Sequence, residues 1–400
     1  MSPSTSIATL VLIAIAAVLA PILSELTGPL AIPEIVFQIG LGMLLGPYVL
    51  GVAHVTNVVT GLSDLGLTYL IFLAGYELDL QRIKGKPLEL ATVGWLISLV
   101  VGLGAAFTLV SSGLARDTLV VGLALTTTAL GTLVPMLRDA GVMDTEFGAL
   151  ISAIGTCGEF LPIVAVALLL TRKEPLVTSL LLAAFIVVAV VTVLLAARAQ
   201  PPRVVAILNR HLESSAQLPV RVSLMFIVLL VLLAQTLGLD VLLGAFAAGI
   251  VVRLFTASSE SVAIKAKLEA IGFGFLIPIF FVVSGIQFDA HVFVADPAAL
   301  WRVPLFLGLM LVARGIPVFV FYRSRLTGAE RVPMALFSAT GLPLIVVITS
   351  IALAEHRMLP VNAASLVAAG MLSVLLFPAV GLWRLRAVGE ATERHDSSPG

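Results

Sequence analysis

The sequence predicts an all-α polytopic membrane protein of about 13 transmembrane helices, and three observations carry that prediction. First, 60% of the 400 residues are hydrophobic, only 12% are charged, and the mean hydropathy is +1.14. A typical soluble domain carries roughly 25% charged residues, so lipid must be the solvent for much of this chain. Second, the stretches 90–115, 175–197, 332–354 and 358–383 contain no charged residue at all. Spanning a bilayer takes roughly 20 mainly apolar residues in a helix, because lipid leaves no backbone polar group a partner outside the segment. Third, the basic residues sort by side, as set out below.

Turn residues and charges mark the remaining spans near 7–23, 32–50, 62–80, 118–137, 147–170, 220–237, 241–254, 268–286 and 303–321. The start of the chain lacks a basic leader and a small-residue cleavage site, so it reads as a retained first helix. Thirteen spans put the termini on opposite sides. With the N-terminus outside, 17 of the 23 Lys and Arg face the cytoplasm, five face outward, and Arg314 falls inside a span. The positive-inside bias therefore predicts a cytoplasmic C-terminus and a multi-pass protein of the cell membrane.

Lys+Arg and Asp+Glu both number 23, which argues against a nucleic-acid-binding surface. Cys157 is the only cysteine, so no intrachain disulfide or cysteine metal framework forms. No P-loop, H-E-x-x-H or G-x-S-x-G motif occurs, and the five His fall in loops or at span ends, so neither an enzyme nor a cofactor is expected.

The longest expected cytoplasmic connection, 198–221, divides a first repeat plus connecting helix (1–197) from a second repeat (222–387), with a short tail at 388–400. Gly75 and Asp79 in the third span match Gly285 and Asp289 in the tenth, 210 residues on. Thr126-Thr127-Thr128-Ala129 in the fifth span pairs similarly with Ala339-Thr340-Gly341-Leu342 in the twelfth. The two halves have opposite topology, and inverted repeats of this kind are a transporter architecture with the site near the midplane.

An ionisable side chain at bilayer depth costs roughly 3 kcal/mol on insertion scales. Two stand out: Glu159, midway along the sixth span in ISAIGTCGEFLPIV, and Arg314, midway along the eleventh in LMLVARGIPVF. Glu34, Asp64, Glu77, Asp79 and Glu355 sit near span ends and read as interfacial anchors. Glu159 admits two readings: a structural ion pair with Arg314, or a carboxylate that alternately binds a proton and a cation. Burial favours a protonated carboxyl and a nearby cation favours the carboxylate, so an acid held between the two can exchange one for the other. Gly155 and Gly158 leave its flanks bare. Prolines inside helices free the carbonyl four residues earlier: Pro162 that of Gly158, Pro135 that of Gly131, Pro343 that of Ala339. Freed carbonyls and the hydroxyls of Thr126, Thr127, Thr128 and Thr340 are hard ligands for a small cation. The alternative for each threonine is a bond back to its own helix.

AIPEIVFQIGLGMLLGPYVLG, LSDLGLTYLIFLAGYELDL, PIFFVVSGIQFDA and SATGLPLIVVITSIAL resemble segments of Kef-type and sodium/proton exchanger membrane domains, in the monovalent cation/proton antiporter superfamily. The resemblance covers essentially the whole chain. It implies a homodimer of 13-helix chains, with two broken helices crossing in a mobile core, here the fifth and twelfth spans. It maps the ion-binding acid onto Glu159 and its basic partner onto Arg314. One departure stands out: the family's acidic or amide residue followed by Asp is here Gly158-Glu159. A single titratable carboxylate implies one Na⁺ or K⁺ for one proton, hence electroneutral exchange. Only 388–400 follow the last span, so the nucleotide-binding domain of some Kef-type proteins is expected to be absent. Two other functions remain open: a Kef-like conductive potassium pathway, and a proton-coupled carrier of a small organic or anionic substrate.

Overall fold

The computed structural model describes residues 3–27, 32–77, 85–169, 180, 217–237, 241–255, 261–289, 291–295 and 298–396. The described residues form helices and no strand. In chain order these are α1 (Pro3–Leu26), α2 (Glu34–Leu45), α3 (Asn57–Glu77), α4 (Lys86–Ser111), α5 (Thr118–Ala124), α6 (Leu130–Asp139) and α7 (Glu146–Leu169). Then come α8 (Leu218–Thr236), α9 (Val241–Phe255), α10 (Ser261–Ile271), α11 (Ile277–Ile286), α12 (His291–Ala295) and α13 (Ala298–Phe321). The last three are α14 (Gly328–Ser338), α15 (Pro343–Ala354) and α16 (Pro360–Asp396). A π-turn, Gly272–Leu276, joins α10 to α11 without a break.

Nine described segments are long and apolar enough to cross a bilayer, and two shorter apolar helices, Glu34–Leu45 and Val241–Leu254, coincide with expected spans. The α5–α6 pair occupies the expected fifth span, 118–137. The remaining expected span, 175–197, apart from residue 180, and nearly all of the 198–221 linker lie outside the described residues. The final helix runs through Asp396, so the segment expected as a tail from 388 is helical over most of its length.

The chain folds into two compact units, each drawing on both halves of the sequence. One comprises Met1–Ala17, His54–Leu78 and Ile163–Val283; the other comprises Val18–Ala53, Asp79–Pro162 and Ser284–Gly400. In the first unit α3 crosses α9 with backbones touching: a Cβ at Gly75 would strike the Phe246 carbonyl, and one at Gly249 the Phe72 carbonyl. In the second unit a Cβ at Gly285 of α11 would strike the Ile39 carbonyl of α2 and lie 2.9 Å from Gly42 Cα. The third span thus meets the ninth as the tenth meets the second. The Gly75/Gly285 motif has a packing cause, because only a residue without a side chain lets helices approach this closely. Its other pair cannot be compared, since Asp79 lies outside the described residues.

Asp117 fixes the start of α5. Its carboxylate accepts hydrogen bonds from the Leu119 and Val120 amides at 2.8 and 3.2 Å, and pairs with Arg357 Nε at 2.7 Å. Removing such an N-cap costs about 1 kcal/mol. Asp117→Ala is therefore expected to lower the melting temperature of the detergent-purified protein, and Asp117→Asn, which keeps a cap, to lower it less.

Candidate functional site

All of the following residues belong to the second unit. Two helices are interrupted there. The first stops at Ala124 because Thr126 and Thr127 turn their hydroxyls back onto the Leu123 and Ala124 carbonyls, at 2.8 and 3.0 Å, and helix resumes only at Leu130. This is the side-chain competition that makes threonine a poor helix-interior residue. The second stops at Ser338 and resumes at Pro343, whose fixed φ and missing N–H suit the first position of a helix.

The two interruptions run against each other. The Ala129 amide donates to the Thr340 carbonyl at 2.7 Å, and Thr128 Oγ1 donates to the Ser338 carbonyl at 2.5 Å. Gly341 lies against Thr127, where a Cβ would come within 2.8 Å of its hydroxyl. Ser373 of α16 closes the far side, bonding both the amide and the carbonyl of Gly341 at 3.1 Å. Thr126, Thr127, Thr128, Ser338 and Thr340 are all buried.

A backbone bond ties the crossing to α7. The Gly158 carbonyl, which Pro162 deprives of its helical partner, accepts the Thr128 amide at 3.0 Å. That anchors the Gly158-Glu159 backbone two residues ahead of the start of α6, where the helix dipole favours negative charge. Gly158 is buried and Glu159, turned a third of the way round the helix, is half-buried.

Arg314 of α13 is 3% exposed. Nε donates to the Ser338 carbonyl at 3.1 Å and Nη1 to Ser98 Oγ at 3.4 Å, while Nη2 donates to Thr128 Oγ1 at 2.7 Å and the Ile154 carbonyl at 3.2 Å. One side chain thereby joins α4, α7, α13 and both interruptions. Its charge meets the carbonyl end of α14, the favourable end of that dipole. A Cβ at Gly158 would clash with Thr128 Oγ1 and lie 2.7 Å from Arg314 Nη2. The guanidinium and the threonine hydroxyl fill the space that a side chain at 158 would need. Lysine keeps the charge but lacks this planar fork. Arg314→Lys is expected to destabilise the protein by at least about 2 kcal/mol, the size of a charge-assisted hydrogen bond, as read by thermal melting.

The structure brings together Thr126, Thr127, Thr128, Thr340, Gly158 and Arg314, with Glu159 adjoining. It changes several roles. Pro343 does not interrupt a helix and free the Ala339 carbonyl; it begins α15, the preceding helix having ended five residues earlier. The carbonyl freed by Pro162 is already occupied by Thr128. The hydroxyls of Thr126, Thr127 and Thr340 donate to their own preceding turns, Thr340 to the Leu336 carbonyl at 3.0 Å, so each offers only its lone pairs inward. Pro135 lies within α6 and its ring is outside the described side chains; the Gly131 it was expected to act on is exposed. Ser98, Ser338 and Ser373 were not anticipated. Ser98 and Ser373 sit in spans read only for missing charge, each a serine among mostly apolar residues, and Ser338 directly precedes the Ala339–Leu342 run.

The sodium/hydrogen exchanger transmembrane family model matches residues 13–383. The chain belongs to that family. Among relatives of this exchanger family member, YjbQ of Bacillus subtilis (strain 168), named with the Na(+)/H(+) antiporters, is 28% identical over 329 residues, which is 78% of this chain and 53% of YjbQ. The chain thus spans about half of that relative's length. The Na(+)/H(+) antiporter of Enterococcus hirae is 28% identical over 278 residues, covering 66% of this chain and 70% of that one. The solved sodium proton antiporter MjNhaP1 from Methanocaldococcus jannaschii matches with a TM-score of 0.65 at 18% identity, covering 96% of this chain and 97% of that chain. At that identity the likeness speaks to the fold: a polytopic exchanger-type helical membrane fold.

Proposed function

We propose that this protein exchanges a monovalent cation, Na⁺ or K⁺, for H⁺ by alternating access at Glu159. The observation that carries the reading is a half-buried carboxylate whose neighbouring carbonyl is bonded into the crossing of two interrupted helices. A half-buried acid can meet an ion, while the buried, hydrogen-bonded crossing beside it hinders water from leaking through. Backbone carbonyls and the lone pairs of Thr126, Thr127, Thr128 and Thr340 are the neutral oxygens on hand to assist. The partial positive ends of α6 and α15 and the charge of Arg314 lower the cost of an unloaded carboxylate in lipid. An unloaded charge still resists crossing, so only the protonated or cation-bound acid moves, which couples the two flows. One titratable carboxylate gives one cation per proton and electroneutral exchange. The protein works as a homodimer in the cell membrane, with its N-terminus outside.

The test is fluorescent pH monitoring in proteoliposomes carrying an imposed ΔpH, with Na⁺, K⁺ and Li⁺ added in turn. Cation-triggered proton movement that leaves the membrane potential unchanged is expected. Movement that collapses the potential would replace this reading with a conductive pathway. Insensitivity to all three cations, with competition by organic acids, would replace it with an organic-substrate carrier.

A further inference from the structure

Arg314 also borders a small cavity that takes no part in the helix crossing. Trp95 and Ser98 of α4, Ile154 of α7, Pro317 of α13 and Tyr322 just beyond that helix line it, with room of about 10 Å³. Two of its lining groups are unusual. Trp95 is 4% exposed and Tyr322 1%, and among the described residues neither the indole N–H nor the phenol hydroxyl has a hydrogen-bond partner. Buried polar side-chain atoms are seldom left so. Two of them opening on one cavity is a coincidence that a shared ligand removes.

The donor set identifies the ligand. The indole and the guanidinium can only donate, and Arg314 has spent four of its five N–H groups on the bonds already described. The remaining one is on Nη1, the nitrogen facing Ser98. Tyr322 and Ser98 can donate or accept. A metal cation is disfavoured by donors, and an organic anion or a halide is too large for the space. A water molecule accepts two hydrogen bonds and donates two, and a cavity of this size holds one when two to four polar groups face it.

We propose that this cavity binds a single water molecule, held by Trp95, Ser98, Tyr322 and the last N–H of Arg314, and that Trp95 and Tyr322 are thereby positioning residues for the guanidinium. The positioning role rests on the exchange reading above; the water site does not. The water pins Nη1, so Nη2 stays on Thr128 and against Gly158, where it stabilises the unloaded acid. Loosening it weakens the guanidinium's competition with the cation for Glu159.

Two measurements test this. The chain has three Trp, and subtracting the ultraviolet resonance Raman spectrum of Trp95→Phe from that of the wild type isolates the Trp95 indole. Its hydrogen-bond-sensitive band is expected at the bonded position; a free-indole band would overturn the water site. In proteoliposomes, at a pH where the acid is deprotonated, Trp95→Phe and Tyr322→Phe are each expected to lower the apparent KM for the cation. The change expected is about fivefold, the worth of one hydrogen bond, together with a lower maximal rate. Partial misfolding would lower the maximal rate alone, so an unchanged or raised KM would overturn the positioning role. If wild-type vesicles show no exchange, the functional reading falls and the positioning role with it. The indole band still decides whether the water is there.

Discussion

Glu159→Gln is expected to reduce cation-dependent proton movement to the level of empty liposomes, a loss of at least about a hundredfold. Glutamine matches glutamate in shape, so the backbone bond from Thr128 to Gly158 and the packing of α7 persist. What disappears is the negative charge and the titrating proton. Moving an ion from water into a low-dielectric site costs several kcal/mol unless an opposite charge meets it, and glutamine supplies no such charge. About 2.7 kcal/mol corresponds to a hundredfold in affinity, well within the contribution of one carboxylate. Glu159→Asp retracts the carboxylate by one methylene and should exchange more slowly rather than fail. Undiminished exchange by Glu159→Gln would remove Glu159 from the mechanism and leave it a structural acid.

Gly158→Ala is expected to be nearly as damaging, and for a steric reason. The new Cβ would strike Thr128 Oγ1 and stand 2.7 Å from Arg314 Nη2, both buried and both held by hydrogen bonds. Overpacking a filled core costs roughly 1–3 kcal/mol, and parting Thr128 from Arg314 adds the cost of buried groups left without partners. The melting temperature should fall and exchange should drop by more than about tenfold. Gly131→Ala is the control, since a Cβ there meets open space and glycine in a helix is intrinsically less favourable than alanine. A Gly158→Ala protein with normal melting and normal exchange would show that the crossing tolerates rearrangement. With Arg314 and Thr128 filling the space beside position 158, a polar side chain there has no room.

Much of this was legible in one dimension. Length and apolarity betray a lipid-facing helix because the bilayer imposes both on every segment that crosses it, so spans such as 90–115 and 358–383 were visible without neighbours. Glu159 and Arg314 announced themselves because a charge in lipid is costly wherever its partners lie. The Thr126–Thr128 run and the paired Gly75 and Gly285 were visible as motifs, though not their cause.

The partners of those groups came only from the tertiary structure, because hydrogen bonds between side chains and carbonyls far apart in sequence leave no trace in composition or period. Nothing in the run around Ser338 says that its carbonyl receives both Thr128 and Arg314, which lie 210 and 24 residues away. Pro343 read as an interruption because the rule for a helix interior was applied to it, whereas the chain had already left the helix at Ser338. The vacancy beside Glu159 had the same limit. Its sequence signature is one glycine, and only the fold decided that a guanidinium would fill it.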